Sequence, residues 1–132
     1  MKNKLPFVLF VLSAIIFSCS KDNGPRPVAK KFLDAMQAHD YKTAGEYGTK
    51  ETIKLLEQFE KIEQLNGKDV QEESGKITIL SEDIQGKTAT VYFQEEGNSL
   101  EQKITLNKVV IDGNPEWKVA LKITPPSEHG GK

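Results

Sequence analysis

The feature that most constrains this fold is a change in the period of its apolar residues about halfway along the chain. Before the change, Ile53, Leu55, Leu56, Phe59, Ile62 and Leu65 recur at the three- and four-residue spacing of one helix face. After it, Trp117, Val119, Leu121 and Ile123 alternate with Lys118, Ala120 and Lys122, the period of two of a half-buried strand. Helices first and strands second, without βαβ alternation, imply an α+β domain.

The same reading places the individual elements. Val28, Phe32, Leu33, Ala35 and Met36 share one side of a first helix, opened by Pro27 and ended at His39-Asp40-Tyr41. Thr43-Ala44-Gly45-Glu46 has the Thr-x-x-Glu form of a capping box and predicts a short second helix that Gly48 stops. Thr49 is the expected cap of a third helix over 50–65, closed by Asn66-Gly67. A charged loop, 68–75, leads to strands near 76–82, 87–94, 100–111 and 116–123.

Asp83-Ile84-Gln85-Gly86, Glu95-Glu96-Gly97-Asn98 and Asp112-Gly113-Asn114-Pro115 supply the turns. Links this short join only antiparallel neighbours, so the sheet is expected to be a meander. Ala89, Val91, Phe93, Ile104 and Leu106 extend its apolar face. The helices should cover that face, with a curved sheet wrapped around the long helix. Pro125-Pro126 ends the sheet, and 125–132 is expected to be a loose tail.

The amino terminus specifies an address. Met1-Lys2-Asn3-Lys4 is a positive start, and the apolar run 5–17, broken only by Pro6 and Ser13, is too short to span a bilayer, which takes about 20 residues. Ile16-Phe17-Ser18-Cys19 closes it with the only cysteine. This arrangement resembles the lipobox of bacterial lipoproteins, which implies a signal peptide over 1–18 and lipid on Cys19. Two or three acyl chains exceed the marginal hold of one. Ser20-Lys21-Asp22 is similar to the short export signal that carries lipoproteins of one Gram-negative phylum to the outer face of the outer membrane. The expected location is therefore the cell envelope, anchored to the outer membrane and surface-exposed, or otherwise facing the periplasm, with 19–26 as a tether.

Removing residues 1–18 from 132 leaves 114, one ordinary domain, expected over 27–124. Taking Lys2 and Lys4 from the 18 basic residues leaves 16 against 19 acidic, which argues against nucleic acid as a partner.

A second resemblance rests on Phe32-Leu33-Asp34-Ala35, on Asp40-Tyr41-Lys42-Thr43-Ala44, and on Trp117-Lys118-Val119 in the last strand. These are similar to small lipoprotein domains of unknown function in the nuclear transport factor 2-like superfamily. The resemblance implies a cystatin-like roll over about 27–123. The superfamily holds enzymes, among them steroid isomerases and polyketide cyclases, as well as inert binders, so it does not fix an activity.

Such a roll points to His39, Tyr41, Tyr47, Tyr92 and Trp117 as possible pocket residues, with Asp34 and Asp40 beside them. Trp117 and Tyr92 would supply an aromatic wall. Each also has an ordinary role at a helix end or in the core, and none is assigned as catalytic. Paired CxxC, HExxH and Gly-rich phosphate-loop motifs are absent, and the acidic pairs Glu72-Glu73, Glu82-Asp83 and Glu95-Glu96 are scattered, so no metal or cofactor is expected. His129 lies between Glu128 and Gly130 in the tail and is given no role.

The leading expectation is a lipid-anchored, non-catalytic domain that binds a small molecule or an envelope protein. The alternatives are a small isomerase, lyase or hydrolase using the roll's pocket, and a structural part of envelope assembly.

Overall fold

Three helices precede four strands, as the change of period requires: α1 (Pro25–Gln37), α2 (Tyr41–Glu46) and α3 (Lys50–Asn66), then β1 (Ile77–Gln85), β2 (Thr88–Glu95), β3 (Gln102–Ile111) and β4 (Asn114–Val119). The computed structural model describes residues 23–67 and 75–122. The signal segment, Cys19, Ser20-Lys21-Asp22, most of the 68–75 loop, Ile123 and the tail with His129 lie outside the described residues. The architecture is α+β with one antiparallel sheet in the order β1-β2-β3-β4.

The helix starts differ from expectation in an instructive way. Pro25 already occupies the first turn of α1, ahead of Pro27. At the other end, Asp40 N–H donates to Ala35 O at 2.9 Å and His39 N–H to Met36 O at 3.1 Å, the paired bonds of a Schellman ending. His39 takes the left-handed position at φ 55° that glycine usually fills. Asp40 then caps α2 at once, accepting from Thr43 N–H and from the Thr43 hydroxyl. Thr43 is therefore inside α2, and the Thr43–Glu46 capping box does not form, because a stronger carboxylate cap stands three residues earlier. Thr49 caps α3 as expected, accepting from Thr52 N–H.

The strands match in number and order and shift at their ends. The β1–β2 turn tightens to Gly86-Lys87, with Gly86 at φ 62°, so Asp83, Ile84 and Gln85 belong to β1. Asp112-Gly113 makes the β3–β4 turn with both residues at positive φ, the requirement of a two-residue hairpin. Asn114 and Pro115 already pair with Ile111 and Val110. Strand β4 stops at Val119 rather than running to 123.

One face of the sheet is apolar, as the alternation demands. Ile77, Ala89, Val91, Phe93, Ile104, Leu106, Trp117 and Val119 bury there against Val28, Ala29, Phe32 and Ala35 of α1. Each large aliphatic or aromatic side chain buried in this way contributes roughly 1.5–3 kcal/mol. The helix lying across the sheet is α1 and not the longer α3. The expected wrapping of the sheet around the long helix is thus incorrect. Helix α3 lies against α2 and reaches the core through buried Thr52 and Leu56 and half-buried Phe59, while its later turns do not. The reason is topological: Tyr47–Thr49 docks on the free edge of β4, through the bridge from Gly48 to Val119, and this starts α3 at the sheet's edge. A Cβ on Gly48 would sit 2.8 Å from Thr52 Cγ2, so the link has no room for another side chain there.

Candidate functional site

The five sequence-derived pocket residues do not converge. Trp117 is buried on the helix-covered face, its ring under Lys108 Nζ at 5.3 Å. Tyr92 alternates with buried Val91 and Phe93 and points from the opposite, uncovered face. The aromatic wall of Trp117 and Tyr92 is therefore contradicted, because period-two alternation puts them on different sides of one sheet. Tyr47 packs half-buried against the core at the end of α2, with Lys31 Nζ 5.9 Å above its ring. Asp34 pairs with Lys30 at 2.6 Å on the exposed side of α1, and Asp40 is spent on capping.

His39 and Tyr41 do come together. The turn that ends α1 throws the His39 ring toward α3, where Nδ1 lies 3.2 Å from both carboxylate oxygens of Glu63. The Tyr41 hydroxyl is 3.4 Å from the same nitrogen, and the two rings meet edge to face at 6.2 Å. With Phe59, Ile62, Asn66 and Gly67 they line a cleft of about 270 Å³. Desolvation against α3, followed by hydrogen bonding to Glu63 and the charges of Glu63 and Glu60, pushes the Tyr41 phenol up to about 12. Hydrogen bonds from the Thr43 side chain and backbone, with a smaller pull from Lys42, hold the Asp40 carboxyl below its ordinary 3.8.

Glu63 was missed by sequence reasoning. It falls on the polar side of the α3 stripe, and nothing local shows that the His39 ring from the end of α1 reaches it or that Phe59, Glu63 and Asn66 line one cleft with that ring. Gln37 was missed as well: its amide donates to Gly75 O at 2.6 Å and to Glu95 Oε1 at 3.3 Å, pinning the end of α1 to the start of β1.

Behind the cleft the interior is filled by side chains. Among the described residues Thr52 is the one buried polar side chain, and its hydroxyl is bonded to β4. The larger open groove, about 590 Å³, lies outside the core, between the α2–α3 junction and the β3–β4 hairpin; Ile53, Val109, Val110 and Ile111 give it an apolar floor. No cluster of three or more potential metal ligands occurs among the described residues. No family model matches the chain, and neither a curated protein nor a solved structure matches it.

Proposed function

We propose that this chain is a lipid-anchored envelope lipoprotein whose domain, a cystatin-like roll of the nuclear transport factor 2-like kind, works by binding at its outer surface. Cys19 carries the lipid, Ser20-Lys21-Asp22 directs export, and the anchor holds the domain on the outer membrane, exposed to the exterior or otherwise facing the periplasm. One observation supports surface binding above chemistry inside the roll: the interior between α1 and the sheet is packed with apolar side chains, and the one buried polar side chain among the described residues, Thr52 of α3, is engaged by β4. Acid–base catalysis draws on buried, tuned carboxylates, histidines or tyrosines. The partner is another envelope protein or a small molecule held in an exterior groove.

In-cell photo-crosslinking tests this reading. A photoreactive residue at Ile53, in the groove, should give a discrete adduct that the same residue at Thr90, on the uncovered sheet face, does not. Identical patterns from the two positions would count against a binding groove.

A second reading, a small isomerase, lyase or hydrolase, is favoured by His39, a non-glycine residue held at positive φ beside Tyr41 and Glu63. It requires that His39→Gln abolish a turnover that Asp34→Asn leaves intact.

A further inference from the structure

We propose that the tip of the β3–β4 hairpin is a membrane-contact element, with Val110 and Ile111 seated among the lipid headgroups of the bilayer that holds the anchor. This rests on the lipidation of Cys19 proposed above.

The first step is to establish which end of the domain faces the anchor. Gln37 at the end of α1 bonds Gly75, just before β1, while Arg26 in the first turn lies 3.9 Å from Glu82 in the later half of β1. The start of α1 therefore lies toward the end of the sheet that carries the β1–β2 and β3–β4 turns. Register then measures how far that end projects. Glu82 is level with Val91 and Val91 with Ile104, and Ile111 is seven residues further along β3. At about 3.4 Å per residue the tip stands roughly 24 Å beyond the first turn of α1. Past the Thr88–Asn107 pair the sheet is a ribbon of β3 and β4, with the α2–α3 junction across the groove on one side of it.

The tether is shorter than this projection. From Cys19 to Gly24, which caps α1, is five residues, at most about 18 Å when fully extended. Turning the domain over offers no escape, because the tether would have to run back along the 13 residues of α1, about 20 Å at roughly 1.5 Å per residue. With the strands upright on the membrane, a lipid on Cys19 therefore brings the hairpin end to the bilayer surface, and the side chains of the tip favour that pose over one with the strands lying flat.

The chemistry of the tip fits that position. Val110 is 73% exposed and Ile111 39%, Pro115 stands opposite Val110, and on the neighbouring hairpin Ile84 is 49% exposed. A solvated ribbon end gains nothing from such residues, and exposed apolar side chains grouped at one end mark an interaction surface. Near this end Arg26, Lys87, Lys108 and Lys118 are balanced by Glu82, Asp83, Asp112 and Glu116, with Arg26 facing Glu82 and Lys118 facing Glu116. The contact is therefore apolar, resembling the shallow seating of an interfacial element, and salt does not release it. Two aliphatic side chains bind too weakly to act alone, so the tip orients a domain that the lipid already holds.

The test uses the lipidated, processed full chain in phosphatidylethanolamine–phosphatidylglycerol vesicles. Acylation blocks Cys19, so Val110→Cys or Asn98→Cys supplies the one free thiol for a polarity-sensitive fluorophore. The exposed position 98 lies at the opposite end, in the β2–β3 link. The probe at 110 should shift to the blue and be quenched several-fold more by doxyl lipids than the probe at 98, at low and high salt alike. Equal quenching at the two positions, in protein that floats with the vesicles, overturns the inference and leaves the anchor standing. A blue shift without lipid quenching places a second protein on the tip and overturns it too. A mature chain whose intact mass carries no lipid removes the anchor, and this inference with it.

Discussion

Thr52 in α3 donates its hydroxyl to the carbonyl oxygen of Val119 in β4 at 2.8 Å, and the Thr52 hydroxyl oxygen in turn accepts the Leu121 N–H at 2.9 Å. One buried hydroxyl thus joins the helical layer to the edge of the sheet just after β4 ends. Thr52→Val keeps the shape and leaves both backbone groups without that partner, so it should cost about 1–3 kcal/mol. Urea unfolding should show a lower midpoint with an unchanged m-value, and Thr52→Ser should lose less.

The Asp40 cap gives a pH signature. Its folded-state pKa lies below 3.8, so its contribution to stability is present above that value and is lost as the pH falls through the lower folded-state value. Asp40→Ala should lower the thermal midpoint at neutral pH. The gap to the native protein should narrow as the pH is taken well below 3.8; a gap independent of pH would contradict the charged cap.

Tyr41 gives the opposite sign. Its phenol ionises near 12 in the folded protein against an ordinary 10, so the stabilisation it brings is intact below 10 and is lost as the pH rises through about 12. Absorbance titration near 295 nm should show one tyrosine titrating last, and Tyr41→Phe should delete that step. Glu63→Gln should move the step toward 10, since Glu63 supplies part of the shift.

Period and turn chemistry carried most of the fold. Val28, Phe32 and Ala35 marked the buried side of α1, and Ala89, Val91, Phe93, Leu106, Trp117 and Val119 marked the covered face of the sheet. What sequence could not supply was which helix lies on the sheet. That depends on Gly48 bridging Val119, a contact across 71 residues with no local signal. The scattered pocket has a different cause. Alternation already put Tyr92 opposite Val91 and Phe93, and Trp117 with them on the apolar face, so pairing Tyr92 with Trp117 ran against the period of two. His39 and Tyr41 were legible as a helix end, whereas their partner Glu63 becomes visible only once the fold brings the His39 ring to α3.

The export reading makes its own demand. Replacing Lys21 and Asp22 with alanines should reduce cleavage of the domain by external protease on whole cells and leave it in the membrane fraction. Unchanged cleavage would leave Ser20-Lys21-Asp22 as part of a tether with no address.

The central claim is a domain held on the envelope through Cys19, and intact mass with metabolic acyl labelling tests it most directly. The native protein should yield a mature chain that begins at Cys19 and carries the acyl groups, and Cys19→Ala should incorporate no label and leave the membrane fraction. A native chain without lipid, or label that persists in Cys19→Ala, would contradict the account.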